Sequence, residues 1–450
     1  MSNLKAISST IIPIILLLTQ LLIGCASYGV IKNAPLNAAG DDETYSLRSF
    51  AESWRIGDIQ LELAFSGGGT RAAAFSYGVL EELRDTNVVI QGRSERLLDQ
   101  IDLISSVSGG SFTAAYYGLY GDKIFDEFEK VFLRHNVEKK LIRGVLNPLR
   151  WLIRRSRTEV AVDFYEKNLF HAATFGDLKQ KGGPLILINA SDLGYGVRFS
   201  FVQEYFNILC SDLSSFPVSR AVTASSAVPV LFNPMVLENY QDCKETKPPL
   251  LVAAERRALK DPELLQVVDG LQSYFKKEKR YAHFVDGGIT DNLGLRAIYD
   301  LVEIAGGPKG SLQEMNMKPP RQYVIITVNA STEPEPEMDA SKKHPSLKQT
   351  INAMTDAQLH HYNTATLGLM KQSMTRWAKE GSTPERPVTP YFIQISFRDI
   401  KQPERRRFFN RIPTSFSLSG EQVDRLIETG RELLRQNPDF QQFLSDLGTL

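Results

Sequence analysis

Cysteine and histidine are scarce in this 450-residue chain, with three of the first and six of the second. No group of His, Asp and Glu has the spacing of a metal-ligand set, so neither a metal nor a cofactor is expected. Charge of one sign is missing too: Lys and Arg number 52, as do Asp and Glu. That balance excludes the basic footprint of a nucleic-acid binder, so no nucleic-acid partner is expected. Internal repeats and long low-complexity tracts are absent, which excludes a solenoid. Long apolar runs are also missing. The one notable stretch, Ile11–Ile23, has the length of a signal-peptide core and falls short of a membrane span. With 42% hydrophobic residues, the chain has enough apolar material for a large core.

What is present centres on one serine. Leu103-Ile104-Ser105-Ser106-Val107 reads as a buried strand, and Ser108-Gly109-Gly110-Ser111 as a sharp turn into a small-residue helix. A serine at the apex of a strand–turn–helix is the physical recipe for a nucleophile elbow. Upstream, Leu61–Phe65 alternates like a strand and runs into Ser66-Gly67-Gly68-Gly69-Thr70-Arg71, followed by a helical stretch. Three glycines between strand and helix let several N–H groups converge on one anionic point. The Gly-Lys-Ser/Thr ending of a nucleotide phosphate loop is missing, so an oxyanion hole fits better. Arg71 either steadies this loop or holds an anionic headgroup. Downstream, the segment Tyr281–Asn292 holds a short apolar strand that ends in an acid followed by two glycines, Asp286-Gly287-Gly288, where catalytic groups gather in α/β folds.

These three segments, in this order, resemble the patatin-like phospholipase family, from about Gln60 to the C-terminus. Asn189-Ala190-Ser191-Asp192, Ala224–Pro229 and Phe416–Asp424 add to the likeness. Two departures are small-for-small: Ser106 stands where the family's elbow has its first glycine, and Ala72 replaces the glycine after Arg71. The resemblance implies a three-layer α/β/α fold with a largely parallel central sheet. It also implies a Ser–Asp dyad of Ser108 and Asp286, with Gly67, Gly68 and Gly69 as the oxyanion hole and Arg71 in support. The reaction would be acyl-ester hydrolysis of phospholipids or related lipids through an acyl-enzyme. A general carboxylesterase, or a silent lipid-binding envelope protein, are the alternatives. By spacing, His344, His360 and His361 follow Asp286 in the order of an ordinary Ser–Asp–His triad, and His283 precedes it on the opposite face of its strand.

The N-terminal pattern ends in Leu22-Ile23-Gly24-Cys25, which resembles a bacterial lipobox. The expectation is a signal peptide over 1–24, lipidation of Cys25 and a tether over 25–58. Losing Lys5 with the leader would leave 51 basic residues (52 less one) against 52 acidic ones. Ala26 and Ser27 after the cysteine favour the outer membrane of a Gram-negative envelope, where membrane and lipid substrate adjoin. Cys210 and Cys243 then remain as a disulfide or as two free thiols.

The catalytic domain is expected over 59–450. Strands are read near Gln60–Ser66, Asp102–Val107, Leu185–Ala190, Arg198–Val202, Phe284–Asp286, Tyr323–Asn329 and Phe392–Ser396. Helices are read at Thr70–Arg84, Ser111–Tyr120, Ser219–Ala227, Leu347–Lys379 and Gly420–Leu434, with a C-terminal helical extension over about 340–450. Leu367, Met370 and Met374 are read as a core-facing stripe. A helical insertion over about 121–170 carries Lys139, Lys140, Arg143, Arg150, Arg154, Arg155 and Arg157 among apolar residues. It suits either a solvated helical pair or a membrane-interface segment.

Overall fold

The computed structural model describes residues 28–36, 44–54, 58–90, 92–136, 156–229, 231–244, 247–333, 337–340 and 342–448. Cys25, the leader over 1–24 and the basic residues from Lys139 to Arg155 lie outside them.

Eight strands form the central sheet: β1 (Ile59–Phe65), β2 (Ile101–Val107), β3 (Leu185–Asp192), β4 (Val197–Ser200), β5 (Met235–Glu238), β6 (Tyr281–Val285), β7 (Gln322–Asn329) and β8 (Thr389–Ser396). Their order is β8-β7-β1-β2-β3-β6-β5, with β4 paired to β3. From β8 to β3 every pairing is parallel. The inner strands are largely buried on both faces, as a sheet covered on both sides requires; β3 is buried along its whole length. Helices α1 (Gly69–Asp85), α2 (Gly109–Tyr120), α3 (Val218–Ser225), α4 (Leu295–Ile304), α5 (Leu347–Gly381) and α6 (Gly420–Arg435) flank it, giving the expected three-layer α/β/α architecture.

The pairing along β3 decides where the chemistry can sit. Asn189 pairs with β2 through Val107 and with β4 through Ser200. Ser191 pairs with β4 through Arg198 and with β6 through Val285. A strand residue has one neighbour per edge, so β2 and β6 share the edge opposite β4. One is parallel to β3 and the other antiparallel, so they run head-on and stop at Asn189 and Ser191. The next residues of the two strands are Ser108 and Asp286.

The expected strand over Arg198–Val202 runs instead over Val197–Ser200, with the Phe201 amide still bonding the Ile188 carbonyl at 2.9 Å. Asp286 lies just past its strand rather than within it. β5 and a hairpin of Asn87–Ile90 with Arg93–Arg96 were not foreseen; each strand has four residues, too few for a periodic signal. Short helical stretches occupy the described ends of the insertion, Ile124–Phe128 and Arg157–Tyr165. Helix α5 opens on a capping box, in which Ser346 and Gln349 satisfy each other's amides, and Met370 and Met374 face the core as expected. Cys210 and Cys243 form a disulfide.

Candidate active site

Ser108 is the hinge between β2 and α2, with φ 48° and ψ −115°, a conformation costly for a residue with a Cβ. Neighbouring groups hold it there. Its amide donates to Ser225 Oγ at 2.9 Å, and its carbonyl accepts the Ser111 amide at 3.0 Å. Ser225, the last residue of α3, donates its hydroxyl to the Asn189 carbonyl at 2.6 Å. Asn189 in turn donates from Nδ2 to Ser105 Oγ at 2.9 Å and to the Ser106 carbonyl at 3.1 Å. The side chain of Ser106, where the family's elbow has glycine, is absorbed by the sheet: its hydroxyl donates to the Leu187 carbonyl at 3.0 Å.

Gly109 and Gly110 are required by contact. A Cβ on Gly109 would stand 2.7 Å from the backbone nitrogen and carbonyl carbon of Gly69. One on Gly110 would meet the Phe65 Cβ at 2.7 Å. The elbow and the glycine loop therefore lie backbone against backbone. Gly68 and Gly69 take φ of 137° and 61°, values that L side chains rarely adopt.

The expected loop donors divide into two groups. The Gly67 amide donates to the Asn292 carbonyl at 2.9 Å and is thereby withdrawn from oxyanion duty. This corrects the expectation that all three glycines serve it. Among the described residues no hydrogen bond takes the amides of Gly68, Gly69 or Gly109. Two of these open helices, where the partial positive charge of aligned peptides gathers.

Arg71 is a clamp. It is 3% exposed, and donates from Nε to the Ala330 carbonyl at 2.8 Å, from Nη1 to the Ile412 carbonyl at 2.6 Å and from Nη2 to Thr414 Oγ1 at 3.1 Å. Burial lowers its pKa to about 10, with Asp356 opposing the shift. The headgroup reading of Arg71 is overturned, because its fork is spent on the chain. The strap it grips also carries Ser415, whose carbonyl accepts the Thr70 amide at 2.9 Å.

Asp286 accepts the Gly288 amide at 2.8 Å. Desolvation in the packed pocket raises the carboxyl to about 6, against the lowering effect of that amide and of the neighbouring Ser108 hydroxyl. The structure thus brings Ser108, Asp286 and the glycine loop together, and among the described residues no hydrogen bond or ion pair joins a histidine to Ser108 or Asp286. His283 and His361 are exposed, and His360 bonds the Thr332 carbonyl through Nε2 at 2.9 Å. Sequence reasoning did not single out Asn292, which joins the acid loop to the glycine loop and donates from Nδ2 to Ser331 Oγ at 3.1 Å. Nor did it single out Ser225, although both fall in stretches that carried the resemblance.

A strand–helix hinge at the carboxyl end of a parallel, helix-covered sheet is where α/β proteins gather their ligand sites. The chain belongs to the patatin-like phospholipase family, whose model matches residues 63–299, more than half of its length. It is a lipid acyl hydrolase of that family. The match stops short of Phe416–Asp424, on which the resemblance was also read. No curated protein matches the chain. Solved structures of human GIVD cytosolic phospholipase A2 are similar at low identity. One form shares 13% identity at TM-score 0.44, covering 95% of this chain and 69% of its own. A complex with methyl gamma-linolenyl fluorophosphonate and terbium chloride shares 12% at 0.40, covering 93% and 66%. A complex with the fluorophosphonate shares 13% at 0.38, covering 90% and 63%. No TM-score here reaches 0.5, and the assignment rests on the family match.

Proposed function

We propose that the chain hydrolyses acyl esters of phospholipids and lysophospholipids through a Ser108–Asp286 dyad. The observation that supports this reading is the head-on meeting of β2 and β6, whose next residues are Ser108 and Asp286, with burial raising the Asp286 carboxyl to about 6. Ser108 attacks the ester carbonyl while Asp286 takes its proton. The amides of Gly68, Gly69 and Gly109 are the donors placed to stabilise the tetrahedral oxyanion. Collapse breaks the ester C–O bond, and the leaving alkoxide recovers the proton from Asp286. Water, deprotonated by Asp286, then attacks the acyl-serine, and a second collapse releases the fatty acid and restores Ser108. A carboxyl near pH 6 is better matched to this work than one at its ordinary value of 3.8.

The lipid substrate suits the rest of the chain. Ile289 follows Asp286 by three residues and is 52% exposed; Leu231, close after α3, is 57% exposed. The lipobox-like Leu22–Cys25 would tether the enzyme by acyl chains at a Gram-negative envelope, in the outer membrane.

Labelling by a fluorophosphonate probe, followed by lipid profiling, tests the reading. Ser108→Ala should abolish labelling and ester hydrolysis with the fold intact, and Asp286→Asn should remove nearly as much activity. Labelling that survives in Ser108→Ala would place the nucleophile elsewhere. Comparing diacyl, monoacyl and short soluble esters separates phospholipase, lysophospholipase and carboxylesterase. Globomycin-sensitive processing and loss of membrane association in Cys25→Ala test the anchor.

A further inference from the structure

A cavity of about 950 Å³ opens at the end of the sheet opposite Ser108. Its walls include Gln60 and Glu62 of β1, Leu103 of β2 and Tyr323 of β7, all near the amino ends of their strands. Ser108 follows the carboxyl end of β2, so roughly 15 Å of β-strand separates Leu103 from the catalytic pocket. The volume lies at the upper end of the range of small-molecule sites.

Most of the lining is apolar, with Leu251, Ile298, Leu301, Leu312 and Trp377 among it. Its polar lining mixes donors, such as Arg48, Gln203 and Asn207, with four carboxylates, Glu62, Glu204, Asp212 and Glu314. Glu62 accepts from Gln60 Nε2 at 2.7 Å and from the Tyr323 hydroxyl at 3.2 Å. Glu204 accepts the Leu47 amide at 2.8 Å, and Asp212 the Ser214 amide at 3.0 Å. Glu314 pairs with Arg48 at 3.4 Å. Desolvation lifts Glu62 to about 7. A carboxylate or phosphate ligand would meet this acidic set unfavourably. A hydroxyl, which both donates and accepts, suits this mixed lining and brings no charge into an apolar space.

We propose that this cavity is a binding site, separate from the catalytic pocket, for one single-chain lipid with an uncharged hydroxyl head, such as a fatty alcohol. The inference goes beyond the hydrolase reading and does not depend on the dyad. The site is suited to sensing a neutral lipid independently of turnover.

Trp377 in the wall is a built-in reporter. Brominated fatty alcohols, added to the purified full chain, should quench its fluorescence saturably, and affinity should rise roughly fourfold per methylene over a short chain-length series. Trp377→Phe should remove the quenching. The filling pair Leu301→Tyr and Ala305→Phe should weaken binding at least tenfold while fluorophosphonate labelling persists. The brominated fatty acid at pH 8 should bind at least tenfold more weakly than the alcohol. Absence of saturable quenching, its persistence in Trp377→Phe, equal binding of the acid, or insensitivity to the filling pair would each overturn the proposal. So would its loss on blocking Ser108 with fluorophosphonate, which would trace the chain to the catalytic pocket. Failure of the fluorophosphonate to label Ser108 would instead count against the hydrolase reading.

Discussion

Ser225 takes the amide proton of Ser108 at 2.9 Å and passes its own hydroxyl proton to the Asn189 carbonyl at 2.6 Å. The left-handed turn at Ser108 is thus held by a side chain from another helix, anchored to the strand on which β2 and β6 meet. Removing that hydroxyl leaves a buried N–H without a partner, a loss of about 1–3 kcal/mol. In Ser225→Ala the urea midpoint should fall accordingly. The catalytic constant should fall roughly 10- to 100-fold with little change in KM, because the elbow relaxes while the lipid surface is untouched. An unchanged catalytic constant in a destabilised protein would reduce Ser225 to a packing role.

With Asp286 as the proposed base, its carboxyl should set the acid limb of the rate profile. A base with a pKa of about 6 is ionised to about a tenth at pH 5, so kcat/KM should fall about tenfold there from its plateau above pH 7. Stability moves the opposite way. Between 3.8 and about 6 the folded protein keeps a proton that the unfolded chain has released, so stability declines as pH rises through that window and is flat above it. Asp286→Asn carries no such penalty. Its advantage in denaturation midpoint over the wild type should therefore grow from pH 4 to pH 6, approaching about 3 kcal/mol, while its activity is lost. A pH-independent difference between the two would contradict a desolvated Asp286.

Much of this was legible in the sequence, for reasons that differ by element. The β2–Ser108–α2 hinge could be read because strand, turn and helix are contiguous, and each leaves a local mark. Asp286 could be read as an acid at a strand's end. That β6 runs antiparallel, head-on to β2, follows from pairing across β3, which no local pattern encodes. The role of Arg71 was open for the same reason: its partners Ala330, Ile412 and Thr414 lie far along the chain. Gly67 was assigned with its neighbours because a glycine run looks uniform, whereas the Asn292 carbonyl distinguishes the first from the rest. The disulfide was undecidable from two thiols 33 residues apart.

That disulfide closes a loop large enough to matter. For 33 residues the chain-entropy model gives about 3–4 kcal/mol. Reduction, or Cys210→Ala with Cys243→Ala, should lower the melting temperature by several degrees. It should leave fluorophosphonate labelling intact below the new transition, since neither cysteine touches the dyad. Loss of labelling well below that transition would tie the bridge to the site.

Gly109 offers a steric test of the loop-on-elbow contact. An alanine Cβ there would lie 2.7 Å from two backbone atoms of Gly69, and neither can move aside as a flexible side chain would. Gly109→Ala should therefore drive the glycine loop from the elbow, reducing kcat by at least about 100-fold. Gly92→Ala is the control: its φ is positive, at 76°, unlike that of Gly109, and nothing lies within 4 Å, so only about 1 kcal/mol of stability should be lost with activity kept. Equal loss of activity in the two variants would detach the effect from the contact between the elbow and the glycine loop.

Arg71 joins the start of α1 to β7's exit and to the strap before α6. Lysine at this position keeps the charge but offers a single nitrogen in place of a planar fork. It can satisfy one or two of the three acceptors that Arg71 now bonds, Ala330, Ile412 and Thr414, leaving buried oxygens unpaired. A loss of about 2–4 kcal/mol follows, and freeing the strap also loosens the Thr70–Ser415 tie that fixes the glycine loop. Arg71→Lys should accordingly lose both stability and catalytic constant, with KM for anionic and zwitterionic lipids changed equally. A selective rise in KM for anionic lipids would instead restore Arg71 to headgroup binding, against its burial at 3% exposure.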